Sequence, residues 1–550
     1  MSGAGGSSVN APTLPNDDTV PNNWRLRERA YTGPHTGQQL AAIDMLEEIA
    51  RAQAVHATTE LPHYDGPRTG DQLALLGTGE RGAIEAAERE MAPRGRGAHS
   101  RGPSRRKPFP WDDLKHRALV VAVTVVCVAA LWLVQDYAWP GKPRLHGTFA
   151  EVWTCTGLLW LAPLPASVFN LVGLFCYRPS RNRQRAAAIP QVVCWRIVSK
   201  GTNTEALAAT IRRCRTEMRA APLFRYVIEV VTDVENPLLP RGPDVAYLVV
   251  PEWYQTSKGS RFKARALQYA LEHSPLADDA WLVHLDEESQ PVPSGIRGIA
   301  RMIAEEEATG RLRIGQGAIV YHRKWKQHPF LTLADMPRTG DDLGRFYLAY
   351  RSGVTLFGMH GSFIVVRNDV EKAVGFDFGP VGSMTEDAYW ALCAMELGYR
   401  CRWVDGFLEE QSTQGIMDFL KQRRRWFQGI VKVCLHAPTK LRWRVTFGVS
   451  TLLWALAPLG MAYTLAHLVV GGGVGPAVKV LADVALAGCV TIQFVGLQVN
   501  LDEHGIIERP RRFLWYALSL LSIPAAGLLE AASVAYAIIR PSSGFHVVEK

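Results

Sequence analysis

Apolar residues are bunched along the chain rather than spread through it. Residues 118–134 (ALVVAVTVVCVAALWLV) and 152–176 (VWTCTGLLWLAPLPASVFNLVGLFC) hold no charged side chain. Each is close to the ~20 apolar residues needed to cross a bilayer. Two further stretches, 445–470 and 477–498, are of similar length and largely apolar. The pattern predicts a polytopic membrane protein with two spans before a soluble segment and two after it. A last apolar stretch, 513–539, is interrupted by Pro524, Gly527 and Glu530.

The soluble segment, 188–410, has a different rhythm. Short β-branched runs alternate with helical patterns: VVCWRIVS (192–199), a helix near 204–219, YVIEVVTD (226–233), VAYLVV (245–250), a helix over FKARALQYALEH (262–273), and WLVHLD (281–286). Strands alternating with helices predict an α/β domain whose mostly parallel sheet is covered on both faces. Ligands of such sheets bind beyond the carboxyl ends of the strands. The first 110 residues are rich in Gly, Pro, Ser, Asn and charge. That composition predicts disorder, with short helical pieces at 37–56 and 81–91.

The formal net charge of +9 does not indicate a nucleic-acid partner, because the basic residues crowd the span ends. Arg105, Arg106, Lys107, Lys115 and Arg117 precede the first span, and Arg178, Arg181, Arg183 and Arg185 follow the second. This positive-inside pattern predicts a cytoplasmic N-terminus and a cytoplasmic soluble domain. The nine cysteines form no C-x-x-C pair and read as reduced packing residues. Span interiors are nearly free of charge, Glu530 being the exception, which argues against a transporter.

Two strands end in an aspartate, Asp233 of "VVTD" and Asp286 of "VHLD". Both sit where a nucleotide would lie, although aspartate is also an ordinary turn or cap residue. In "DEES", a strand running slightly on puts Asp286 and Glu288 on one side and turns Glu287 away. Two carboxylates on one side suit Mg²⁺ or Mn²⁺, which completes its shell with phosphate oxygens and water. "SMTEDAYW" (383–390) opens a helix, with Thr385 read as N-cap ahead of Glu386 and Asp387. "KQRRRWFQGI" (421–430) brings Gln422, Arg425 and Trp426 onto one helical stripe, with Phe419, Leu420, Phe427, Ile430, Val431 and Cys434 forming an apolar side. A basic amphipathic helix lying on lipid is the competing reading, and both can hold.

Taken in this order and followed by spans, "VVTD", "DEE", "TED" and the Q-x-x-R-W of "QRRRW" resemble the membrane-embedded family 2 glycosyltransferases. That inverting group includes the cellulose, chitin and hyaluronan synthases. Within it, "CWRIVSKGTN", "RFKARALQYALE", "FGMHGSFIVVR" and "DFLKQRRRWFQGI" are most similar to the egghead-type β-1,4-mannosyltransferases. The resemblance covers about 190–435 and implies a GT-A fold at 186–410, with Q-x-x-R-W on interface helices at 411–442.

By position the resemblance implies roles. Asp233 contacts the nucleotide base or ribose, and Lys263 lies near the base or diphosphate. Asp286 and Glu288 hold the divalent cation, Mg²⁺ or Mn²⁺. Asp387 is the general base. His360, Gly361, Ser362 and Phe363 ("HGSF"), with Glu386, line the acceptor site, while Gln422, Arg425 and Trp426 bind the diphosphate and the acceptor sugar.

The implied activity is transfer of mannose from GDP-mannose, with inversion, to a glycan or glycolipid at the plasma membrane. A processive β-glycan synthase using UDP-glucose or another UDP-sugar is the alternative, and a non-catalytic membrane scaffold a third. Phe545, Val547 and Lys550 in the tail (540–550) resemble the gating loop of cellulose synthases, which is cytoplasmic. A cytoplasmic tail requires an even number of spans, so 513–539 is expected to be an interfacial or re-entrant pair of short helices broken at Pro524, with a fifth transmembrane span as the alternative.

Overall fold

The β-branched runs of the soluble segment become strands in the computed structural model, which describes residues 111–138, 146–323, 325, 327–471 and 474–541. The N-terminal helical pieces and the gating-loop-like tail lie outside the described residues. Eight strands, β1 Val192–Ser199, β2 Arg225–Thr232, β3 Val245–Val249, β4 Trp281–Asp286, β5 Gln290–Pro291, β6 Ile314–Arg323, β7 Ile364–Arg367 and β8 Cys401–Gln411, form one sheet in the order β3-β2-β1-β4-β7-β6-β8-β5. Only β7 and β5 run against the rest. Strand β1 shows why both faces must be covered: Val193, Trp195 and Ile197 enter one core, Cys194 and Val198 the other. A buried charge network braces the sheet beneath the end of β4. Arg196 pairs with Glu229 at 2.5 Å and with Glu371 at 2.6 Å, and Glu371 also holds His284.

The described helices are α1 Trp111–Ala138, α2 Thr148–Thr156, α3 Leu164–Cys176, α4 Thr204–Ala220, α5 Phe262–His273, α6 Pro293–Thr309, α7 Pro329–Asp341, α8 Tyr347–Arg351, α9 Asn368–Val374, α10 Gly379–Gly382, α11 Glu386–Glu396, α12 Ile416–His436, α13 Leu441–Ala455, α14 Ala457–Val470, α15 Pro476–Glu503 and α16 Arg509–Ile539. Five segments among the described residues are long and apolar enough to cross a membrane: Trp111–Val134, Thr148–Cys176, Leu441–Val470, Pro476–Glu503 and Arg509–Ile539.

Two glycines seat the α/β domain on these helices. A Cβ at Gly340 of α7 would come within 2.0 Å of Ile492 O, and one at Gly496 of α15 within 2.0 Å of Met336 O. Small residues let the two backbones approach, as in membrane helix packing. Helix α15 packs on α1 and α3, whereas α14 packs mainly on α16. The apolar helices thus form two groups, α1, α3 and α15 in one and α13, α14 and α16 in the other, joined where α16 packs on α15.

Two expectations are corrected. The stretch 513–539 is not a pair of short helices, because α16 continues through Pro524. Proline costs about 3 kcal/mol inside a helix, but α16 is held on both sides of it. Trp515 packs with Met336, Leu497 and Leu501, and Val534 and Ala537 pack with Phe427. Ser522 Oγ also donates to Ser519 O at 2.8 Å just before Pro524. Nor is Glu530 the sole charge within the apolar stretches, since Asp483 lies buried in α15.

Candidate active site

The carboxyl ends of β2 and β4 deliver the two strand-end aspartates to one cavity wall. Asp233 follows β2 and pairs with Arg265 of α5 at 2.7 Å. Asp286 is the last residue of β4, and the strand does not run on: Ser289 N donates to Asp286 O at 3.0 Å, closing a turn over Glu287 and Glu288. The period-two argument for "DEE" therefore fails. All three carboxylates border the cavity, and Glu287, expected to face away, accepts from Ser199 Oγ at the end of β1. The donor set still suits a hard cation, because Asp286 and Glu288 offer carboxylate oxygens and no sulfur or imidazole. Among the described residues no three ligand-type side chains converge so as to hold one ion, so the remaining positions would fall to phosphate and water.

Lys263, in the first turn of α5, joins three of the sequence motifs. Its Nζ pairs with Asp286, donates to Gly361 O at 3.1 Å and lies 3.7 Å from Glu386 Oε1. Burial works against its charge, but Asp286 and Glu386 outweigh burial and hold the ammonium above its usual pKa range. Glu386 and Asp387 open α11. Burial raises both carboxyls above their ordinary range, and Lys263 opposes the rise.

Thr385 occupies the N-cap position, yet its side chain makes no cap hydrogen bond. Instead it abuts Gly429 of α12, where a Cβ would come within 2.4 Å of it. Glycine there lets α12 close on the "TED" segment.

The "HGSF" segment runs alongside. A Cβ at Gly361 would sit 3.2 Å from Asp387 Oδ2 and 3.1 Å from Lys263 Nζ, so this glycine keeps space beside the acid. His360 Nε2 bonds Asp342 Oδ1 at 2.6 Å. Burial disfavours the imidazolium, but Asp342 outweighs that and raises its pKa. Ser362 Oγ donates to Glu410, which also accepts from Ser289 Oγ at 2.8 Å. Phe363 is buried with φ of 64°, a left-handed backbone rare for a bulky residue. Its ring fills the space above Gly317.

Helix α12 supplies the opposite wall with Gln422, Arg425 and Trp426. Sequence reasoning missed the residues that hold them. Arg338 and Arg423 place their guanidinium groups 4.6 and 4.4 Å from the Trp426 ring centre. Arg423 donates to Gln422 Oε1 at 2.9 Å, to Asp335 at 2.7 Å and to Glu530 at 3.1 Å. Its position beside Gln422 in "QRRRW" was the available signal. Arg338, Asp335, Asp342 and Glu410 carried none: Arg338 and Asp335 read as an ordinary i,i+3 ion pair, and the contacts that bring all four to the site come from segments remote in sequence.

These walls enclose a cavity of about 1810 Å³ that reaches from Asp233 and Asp286 past Asp387 and Trp426 into the cleft between the two groups of apolar helices, as far as Trp160 and His467. It can hold a phosphorylated ligand at the sheet end, and an acid beside a positive charge at its centre can accept a proton from a hydroxyl.

Residues 281–526 match the family model for glycosyl transferase family group 2. The β-1,4-mannosyltransferase egh of Drosophila melanogaster is 30% identical over 406 residues, 71% of this chain and 86% of that protein. The β-1,4-mannosyltransferase bre-3 of Caenorhabditis elegans is 34% identical over 322 residues, 57% of this chain and 70% of that one. The solved structure of the mannosyltransferase PcManGT from Pyrobaculum calidifontis in complex with GDP-Man and Mn²⁺ aligns with a TM-score of 0.38 at 14% identity, covering 70% of this chain and 99% of that one. The chain belongs to the family 2 glycosyltransferases, as an enzyme with a GT-A catalytic domain flanked by membrane-type helices.

Proposed function

We propose that this enzyme transfers mannose from GDP-mannose, with inversion, to the 4-hydroxyl of a lipid-linked sugar, from a catalytic domain on the cytoplasmic side of the plasma membrane. The relatives' activity supports the sugar and linkage, and the basic flanks at Arg117 and Arg178 support the orientation. The observation that carries the acceptor is the cavity, which continues from Asp387 into a cleft between apolar helices. A lipid-borne sugar can enter there without leaving the bilayer.

In this reading Asp233 meets the base or ribose, and Lys263 reaches the diphosphate. Asp286 and Glu288 hold Mg²⁺ or Mn²⁺, which when bound neutralises diphosphate charge. Asp387 takes the proton of the acceptor hydroxyl as its oxygen bonds to the anomeric carbon. The bond from that carbon to the diphosphate breaks on the opposite face, and the electron pair leaves with the nucleotide. Arg425 and Lys263 stabilise the charge that develops there, a role worth several kcal/mol in comparable sites. His360, Gly361, Ser362 and Glu386 border the acceptor, and Gln422 and Trp426 orient its sugar ring.

The test is a donor screen in lipid nanodiscs with GDP-mannose, UDP-glucose and other nucleotide sugars, with Mg²⁺ or Mn²⁺ present. A single mannose added to a glycolipid is expected. A ladder of products from a UDP-sugar would replace this reading with a processive synthase.

A further inference from the structure

One polar cluster interrupts the apolar part of the cavity. Asp341, at the end of α7, accepts from Arg345 Nε and Nη2, both at 2.7 Å, and from Asn170 Nδ2 of α3 at 2.8 Å. Asn170 Oδ1 in turn accepts from Arg345 N at 2.8 Å. The third guanidinium nitrogen, Nη1, donates to Ser450 Oγ of α13 at a long 3.4 Å. All four residues line the cavity. Ser450 belongs to the helix group that borders the cleft opposite α3. Around them the lining is apolar, including Phe357, Val449 and Ile492.

Position and charge say what this cluster fits. Asp342, the residue after Asp341, holds His360, so the cluster lies immediately beside the acceptor end of the active site. Arg345 and Asp341 cancel, so the cluster itself presents no net charge. Nη1 of Arg345 keeps a second N–H and Ser450 its hydroxyl proton, two donors 3.4 Å apart from which one carbonyl oxygen can accept together.

We propose that Asn170, Asp341, Arg345 and Ser450 form a subsite for the neutral, carbonyl-bearing junction between sugar and chain in a lipid-linked acceptor, with Arg345 and Ser450 donating to the carbonyl. This rests on the lipid-acceptor reading above. It adds a discrimination: a phosphate junction brings charge that the Arg345–Asp341 pair leaves uncompensated, so it binds less well than an ester or amide.

The experiment measures KM and kcat of the full chain in nanodiscs with GDP-mannose and three probes. These are β-glucosyl diacylglycerol, dodecyl β-glucoside, whose sugar joins the chain directly, and a glucosyl phosphoryl polyprenol. Arg345→Gln should raise KM for the diacylglycerol probe about tenfold and Ser450→Ala about fivefold, the loss of one or two hydrogen bonds. KM for dodecyl β-glucoside and for GDP-mannose should stay within about twofold of wild type in both variants. The phosphoryl probe should be at least about tenfold poorer in KM than the diacylglycerol probe with wild type.

Equal KM changes for the diacylglycerol and dodecyl probes would mean that the cluster only braces the helices, and would overturn the subsite while leaving the lipid-acceptor reading intact. A phosphoryl probe as good as the neutral one would overturn the charge argument. Turnover of soluble oligosaccharides with none of the three lipids would overturn the lipid reading and the subsite with it. Ser450→Ala removes one exposed-wall hydroxyl, so it keeps the proposal testable if Arg345→Gln fails to fold.

Discussion

At the sheet end of the cavity each charged group stands within a residue or two of a strand or helix end: Asp233 after β2, Asp286 closing β4, Lys263 and Asp387 in the first turns of α5 and α11. At the membrane end the polar groups meet across remote segments, as Asn170 does with Asp341 and Arg345, and Arg423 with Asp335 and Glu530. Local geometry positions the first set and long-range packing the second. Substitutions at the sheet end should therefore remove chemistry and leave the fold. Substitutions at the membrane end should change acceptor use or stability first.

The largest effect expected is at Asp387, the proposed base. Asp387→Asn should lower kcat roughly 10³-fold, within the range for removing a general base, while GDP-mannose still binds by calorimetry. Near-wild-type turnover would remove Asp387 from that role. Next, chelation or Asp286→Asn should cost on the order of 10²-fold in kcat/KM. Added Mn²⁺ or Mg²⁺ should restore the chelated wild type and not the variant.

Trp426→Ala sits between the two regions. It should raise acceptor KM about tenfold, as loss of a ring platform clamped by two guanidinium groups, and leave donor KM unchanged. At the membrane end, Gly340→Val should cost about 1–3 kcal/mol by overpacking α7 against Ile492. A thermal melt in detergent reads this directly, and an unchanged melt would mean that the catalytic domain is not seated through that contact.

The smallest effect is a pH shift. Asp387 must be ionised to accept a proton, and its pKa is raised, so activity should fall with decreasing pH above the usual aspartate range. A pH–rate profile reads this limb, and one that falls only within the usual aspartate range would contradict it.

The same division governs how much was legible in the sequence. Strands β1 to β4, helices α4 and α5, and the acids at 233, 286 and 386–387 follow from patterns a few residues long. The turn at 287–288 was not legible, because alternation says nothing about where a strand stops. Continuity of α16 was hidden for a related reason. Pro524 has a local cost, and the contacts at Trp515 and Val534 that offset it include Met336 and Phe427, each more than a hundred residues away. Arg338 and Arg345 read as surface charges on an ordinary helix until α12 and α3 are packed against them.

The claim that one cavity joins donor chemistry to a lipid-borne acceptor is tested most directly by photo-crosslinking. A β-glucosyl diacylglycerol with a diazirine in its acyl chain would be incubated with the enzyme in nanodiscs and its attachment sites mapped by mass spectrometry. Attachment at cleft residues such as Val449, Leu453 and Ile492, suppressed by excess unlabelled glycolipid, is the predicted result. Attachment confined to outward-facing residues such as Phe513 and Leu521, insensitive to competitor, would contradict the account.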